Sequence, residues 1–350
     1  MIDNPYYSQA VHGPYESFDL GNFALEDGGT IRGCQLAYAT FGTLNAAKDN
    51  AILITTWFSG TSKIMEQVYT GAGRAIDPAK YFIVIVNQIG NGLSSSPHNT
   101  PFPAGMANFP KVRIGDDVRA QHQLLTEKFG LTELALVTGG SMGAQQTYEW
   151  AVRYPDMVKR AAPLAGTAKN TIHDQLFADT LSEAITSDPG YNNGWYSSHM
   201  DVRDGLRRHA KLWGVMGWST EFYAQGRMAA IGFSSLDDFV TNFMNGFFGV
   251  MDPNALLAMA WKWRNGDVSR HTGGDLAAAL GRIKAKTFVM PIATDMFFPP
   301  VDCEREAKLI PGAEFRPIQS IDGHLALFGA DPGYVPQLDK HLAELLATPV

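Results

Sequence analysis

The sequence predicts a doubly wound α/β fold, a mostly parallel sheet with a helical cap inserted between its later strands. Three observations predict it. Short, often β-branched apolar runs at Ala51 to Thr55, Phe82 to Val86, Leu134 to Val137, Ala161 to Leu164 and Thr287 to Ile292 alternate with helical segments. Runs of this kind are strands covered on both faces, as parallel strands are. The rhythm fails between about Thr167 and Leu280, where helical stretches carry Trp195, Trp213, Met216, Trp218, Phe222, Phe239, Phe243, Met244, Phe247, Phe248 and Trp261. Finally, the run Leu134 to Val137 leads directly into Gly139-Gly140-Ser141-Met142-Gly143 and a helical segment from Ala144 to Tyr154.

Taken in order, the chain opens with strand-like pieces from Tyr15 to Tyr38, broken by turns at Asp27-Gly28-Gly29 and Arg32-Gly33, which suits an antiparallel entry to the sheet. The cluster Gly90-Asn91-Gly92-Leu93-Ser94-Ser95-Ser96-Pro97 follows the second parallel strand. It lacks both the third glycine of a dinucleotide loop and a Gly-Lys-Ser/Thr ending, so it reads as a turn beside the active site. Ile114 to Lys128 is helical, with Asp116 and Asp117 at the positive end of the helix dipole. The division expected is a core over residues 1–166, a cap over 167–280 and the rest of the core over 281–350. Most of the cap's aromatic residues form its own core. Sheet patterning resumes at Ile283, a strand-like segment lies near Phe315 to Ile318, and a helix from about Val335 to Leu346 closes the domain.

Composition narrows the function. A chain of 350 residues, 45% hydrophobic, can bury one large core with an insertion. A net charge of -7 without a basic cluster argues against nucleic acid and leaves a small acyl compound as the expected partner. No apolar run approaches the roughly 18 residues of a membrane span, and MIDNPYYSQA lacks the features of a signal peptide, so a cytoplasmic protein is expected. Cys34 and Cys303 lie far apart without metal-ligand spacing; reduced, structural thiols and no metal site are expected.

The strand-to-helix turn at Ser141 is the serine elbow of the α/β-hydrolase fold, in which small neighbours let strand and helix approach and leave the hydroxyl exposed. Serine needs a base within hydrogen-bond reach and an acid to hold that base in the correct tautomer. The fold orders these as serine, acid, histidine. Asp295 stands at the carboxyl end of the strand Thr287 to Ile292, where open α/β sheets place their ligands. His324, in Asp322-Gly323-His324-Leu325, follows it, whereas His271 precedes the acid and His341 lies in the terminal helix. Asp322 is the weaker alternative to Asp295. The oxyanion requires preorganised donors: the backbone N–H of Met142, and that of Phe58, or nearly as well of Trp57, in the loop Thr56-Trp57-Phe58-Ser59-Gly60-Thr61. Trp57 and Phe58 would also wall an apolar substrate pocket.

Several segments resemble the homoserine O-acetyltransferase family of α/β-hydrolases over most of the chain. They are Gly139 to Gly143 with Glu149-Trp150-Ala151 and Tyr154-Pro155-Asp156, the acid loop Asp295 to Pro300, the base at Gly323-His324, and the cap segment Ala184 to Trp195. The resemblance implies a Ser141, Asp295, His324 triad, a ping-pong acyl-enzyme mechanism and a homodimer joined through the caps. It also puts Ser182 where the family has a cap arginine for the amino-acid carboxylate, and Leu325 where it has an acidic residue. Losing both weakens recognition of a zwitterion.

The leading reading is therefore an esterase-like serine hydrolase that needs no cofactor. The alternative is an O-acyltransferase with acyl-CoA as co-substrate, for which Arg203, Arg207, Arg208 or Arg227 could supply the missing clamp. A non-catalytic binding protein that keeps the fold is the third.

Overall fold

The computed structural model describes the whole chain, Met1 to Val350. Its strands are β1 (Glu16–Ala24), β2 (Thr30–Phe41), β3 (Ala51–Thr55), β4 (Phe82–Val86), β5 (Leu136–Gly140), β6 (Arg160–Leu164), β7 (Lys286–Val289) and β8 (Glu314–Phe315). They form one sheet in the order β1-β2-β4-β3-β5-β6-β7-β8. The β1-β2 ribbon is antiparallel and joins β4 antiparallel; all later neighbours are parallel.

Every residue of β3 and β4 is buried, as their unbroken apolar runs require. Two strand ends differ from the sequence reading. β5 runs on through Gly139 and Gly140, which pair with Pro163 and Leu164, so the elbow glycines complete the strand. β7 stops at Val289 because Pro291 has no N–H for a ladder, and only single bridges at Met290 and Ile292 continue the line.

Alternate strand residues face two apolar layers. On one side Ile52, Ile54, Ile83 and Ile85 meet α1 (Ser62–Tyr69) and α8 (Tyr334–Ala347), which bury Met65, Val68, Leu338 and Leu342. On the other, Leu53, Val84 and Val137 meet Val118 of α2 (Ile114–Gln123) and Tyr148 and Trp150 of α3 (Met142–Arg153). Each such aliphatic side chain fully buried contributes about 1.5–3 kcal/mol. No helix is long and apolar enough to cross a membrane.

Between β6 and β7 lies the helical segment, built on α4 (Ile172–Thr186), α5 (Arg203–Met216) and α6 (Pro253–Arg264). It does not have a separate core. Phe177, Trp213, Phe248 and Trp263 of this cap join Phe58 and Phe297 of the sheet domain in one continuous cluster. Trp195 is an exception among its aromatic residues and stays 43% exposed.

Polar pins reinforce the junction. Lys262 of α6 is buried and pairs with the buried Asp117 of α2, its ammonium also donating to Ile89 O at 2.7 Å. Glu306 of α7 (Pro300–Ala307) accepts from the N–H groups of Ala168 (2.6 Å) and Lys169 (3.1 Å), where the chain enters the cap. Burial raises the Asp117 carboxyl to about 6 even beside Lys262. Desolvation therefore consumes much of the attraction, but removing one partner strands the other charge. Lys262→Met should lower unfolding stability by about 3–5 kcal/mol in a urea titration, and Asp117→Leu/Lys262→Met should recover part of that loss. A loss below about 1 kcal/mol for the single variant would show that the pair does not hold the junction.

Candidate active site

The site is assembled at the carboxyl ends of β5 and β7. Ser141 has φ 58° and ψ -122°, a conformation costing a non-glycine residue about 1–3 kcal/mol. The surroundings enforce it. A Cβ at Gly139 would stand 2.2 Å from Thr55 Oγ1, and one at Gly143 would stand 2.6 Å from Thr55 O. Thr55 Oγ1 donates to Gly143 O at 2.7 Å, stitching β3 to the start of α3.

His324 sits in a short 3-10 turn (Gly323–Phe328) after β8, and the cap fixes that turn. Leu325 N–H donates to Gly217 O at 3.0 Å, and a side chain at Gly323 (φ 65°) would strike Ser219 N at 2.6 Å. The ring then spans the two other groups: Ser141 Oγ is 2.9 Å from Nε2, and Asp295 Oδ2 is 2.7 Å from Nδ1. Asp295 Oδ1 accepts from the N–H groups of Phe297 (2.8 Å) and Phe298 (3.1 Å), so the carboxylate is held at both oxygens. With Asp295 accepting from Nδ1–H, Nε2 is left as acceptor for the serine hydroxyl. Asp322 does not compete: its carboxylate pairs with Arg227 of the cap at 3.1 Å and 3.3 Å.

Phe58 N–H donates to no protein atom, and Met142, the first residue of α3, has no intrahelical acceptor for its own. Met142 directly follows Ser141, and Phe58 lines the same cavity as Ser141, so both N–H groups are free beside the serine's cavity.

Above Ser141 lies a cavity walled by Trp57, Phe58, Trp213, Phe243, Met244, Phe247, Phe248, Leu325, Leu327 and Phe328, with Ser59, Ser141 and His324 as its polar members. Its volume is about 20 Å³, against the roughly 10–15 Å³ that one water needs. A larger cavity of about 290 Å³ contains Arg113, Arg153, Glu149 and His271, lies away from the serine, and has its charges already paired with one another or with neighbours.

Ser182 is the correction. It lies outside the Ser141 cavity, in a separate groove with Tyr191, Asn254 and Trp261, and its hydroxyl donates to Ala178 O at 2.8 Å. On α4 the neighbouring Leu181 is the buried residue, so Ser182 is turned about 100° off the inner face. No arginine lines the Ser141 cavity either. Arg208 donates to Ala184 O, Arg207 pairs with Asp204 and Arg227 with Asp322.

The sequence reading did not select the cap side chains that close the cavity. Trp213 is buried among them, stacked on Phe248 and Trp263 and tilted against Phe58, with its indole N–H donating to His209 Nε2 at 3.1 Å. His209 Nδ1 faces Leu181 O at 3.2 Å, which fixes the neutral tautomer. Large apolar residues at those positions were visible, but periodicity does not distinguish a cavity wall from a core. Leu327 and Phe328 had one usable signal, their place just beyond the histidine.

A sheet of this order, with a serine at a strained strand-to-helix turn and an aspartate and histidine after later strands, defines an α/β-hydrolase. A family model described as the alpha/beta hydrolase fold matches residues 58–330, and the chain belongs to that family as an α/β-hydrolase-fold enzyme. It is 62% identical over 346 residues to the ethyl acetate hydrolase of Pseudomonas veronii, covering 99% of each chain. It superimposes with a TM-score of 0.98 on the crystal structure of an acetylester hydrolase from Corynebacterium glutamicum, 59% identical, covering 99% of this chain and all of that one. It is 30% identical over 313 residues to the homoserine O-acetyltransferase of Trichormus variabilis, 86% of each chain. The group it joins thus includes both acetyl esterases and homoserine O-acetyltransferases.

Burial lowers the His209 imidazole to about 4. Its unfolded-state value is near 6.5, so only the unfolded chain takes up this proton as pH falls through that window. The stability His209 contributes is complete above pH 6.5 and is lost toward pH 4, by at most about 3 kcal/mol. Urea titrations at pH 7 and 4.5 should show a smaller fall for His209→Gln than for the parent protein; equal falls would contradict the neutral buried assignment.

Proposed function

We propose that this chain is a serine esterase that hydrolyses small acetate-type esters of simple alcohols, with Ser141, His324 and Asp295 as its catalytic triad. The observation that carries the substrate class is the cavity itself: apolar, without an arginine, and about 20 Å³ in volume. A space with room for only one or two waters leaves none for a long acyl chain or a bulky alcohol, so the esters it favours are at the small end. An amino-acid acceptor would have to bury both its charges there without partners, at a cost of several kcal/mol. The similarity to an ethyl acetate hydrolase and to an acetylester hydrolase supports the same class.

In this reading Ser141 Oγ attacks the ester carbonyl while His324 Nε2 takes its proton, and Asp295 keeps the imidazolium oriented. The N–H groups of Met142 and Phe58 receive the oxyanion. The carbonyl to alkoxy bond then breaks as His324 returns the proton to the leaving alcohol. Water enters the space the alcohol vacates, His324 takes its proton, and the acyl bond to Ser141 is cleaved to give the free acid and the restored serine. No cofactor takes part. The buried free thiols Cys34 and Cys303 suit a reducing cytoplasm.

Ethyl acetate should be hydrolysed without any acceptor, with Ser141→Ala reducing kcat by about 10⁴-fold or more. Acetyl-CoA consumption that requires homoserine would favour the transferase instead. Along an ester series, kcat/KM should fall from acetate to butyrate; Phe247→Ala, which removes a half-buried ring from the wall, should raise the butyrate to acetate ratio by about tenfold. An unchanged ratio would place the acyl group elsewhere.

A further inference from the structure

Gln88 follows β4, is fully buried, and takes no part in the steps above. Its Nε2 donates to two successive carbonyls of the loop beside the serine, Thr56 O at 2.7 Å and Trp57 O at 3.2 Å. Its Oε1 faces Lys262 Nζ at 3.4 Å. The amide can lie only one way round, since two carbonyl acceptors need the NH₂ and an ammonium needs the oxygen. Lys262 is itself fixed by Asp117 and Ile89 O, and Asp117 Oδ1 accepts from Ile89 N–H at 2.8 Å.

A trans peptide is planar and its C=O and N–H point to opposite sides. Thr56 C=O shares its plane with Trp57 N–H, and Trp57 C=O shares its plane with Phe58 N–H. Holding both carbonyls from one side therefore turns both N–H groups to the other. Neither N–H has a partner within the protein, while both residues wall the Ser141 cavity. We propose that Gln88, held by Lys262 of the cap, is a positioning residue that aims the oxyanion-binding N–H groups of the Trp57–Phe58 loop. The proposal rests on the serine-esterase reading for its chemistry. It makes the seating of α6 a condition for a competent oxyanion site, because Lys262 belongs to that helix.

The geometry also supplies a clean variant. Without Gln88, Thr56 O keeps a donor from Gln146 Nε2 at 2.9 Å and Trp57 O keeps Gly60 N–H at 3.1 Å, so neither carbonyl is stranded. Lys262 keeps its other two partners. Gln88→Met should thus fold, and Gln88→Glu, which retains the size and the acceptor facing Lys262 but cannot donate when ionised, serves if it does not. The assay pairs kcat/KM for p-nitrophenyl acetate with the inhibition constant of 1,1,1-trifluoroacetone, which adds to Ser141 as a hemiketal oxyanion. In the folded variant both should worsen together, by about 10²-fold, the scale of losing one oxyanion donor, with KM little changed. A merely structural role would lower the melting temperature and leave the inhibition constant unmoved. Either that outcome or a kcat/KM within about threefold of the parent in the folded variant overturns the proposal. If the parent protein proves inactive on acetate esters yet binds trifluoroacetone, the substrate reading fails while the inhibitor arm still decides the role of Gln88.

Discussion

The close approach of Thr55 to Gly139 and Gly143 is the constraint on which the site depends. Where β3, β5 and α3 meet there is no room for a Cβ on either glycine, and the Thr55 hydroxyl ties the strand to the first turn of the helix. The turn between them has to be sharp, and Ser141 absorbs the sharpness in its backbone. Strain at one residue is sustained by packing that is already rigid for other reasons. The same turn leaves Met142 N–H free at the head of α3, so the proposed nucleophile and the proposed oxyanion donor share one local geometry.

The cap reaches this geometry from two sides. Through Gly217 and Ser219 it seats the turn that carries His324, and through Lys262 it touches the polar network beneath the Trp57–Phe58 loop. Its aromatic residues then close the space above the serine and merge with the core, so there is no separate lid with an interior of its own. Fold and triad leave the acyl acceptor undetermined. In the proposed reading the wall selects it: Leu325 and the phenylalanines provide no partner for an amino-acid carboxylate or ammonium, and a small volume favours water over a bulky alcohol.

Much of this was legible in the sequence because the responsible constraints are local. The runs at Ala51 to Thr55 and Phe82 to Val86 coincide with β3 and β4, since a strand buried on both faces must be apolar throughout. Gly139 to Gly143 betrays the elbow because only small residues fit there. Asp295 and His324 followed from chain order, and the structure brings both to Ser141. Ser182 was misplaced because one position along a helix turns a side chain about 100°, and alignment to a related cap does not fix that phase. Gln88 and Lys262 gave no signal. Their partners lie 32 and 145 positions away for Thr56 and Asp117, and such contacts exist only once the chain is folded.

The central claim is that Ser141 carries an acyl group from a small ester to water. The most direct measurement is rapid-quench mass spectrometry of the protein during turnover of ethyl acetate in buffer containing no other acceptor. The account predicts an acetyl group on the peptide bearing Ser141, decaying to free acetate at a rate that supports kcat. An acetyl group that persists until an amino-acid alcohol is added, or acetate released with no acetyl group ever found on Ser141, would contradict it.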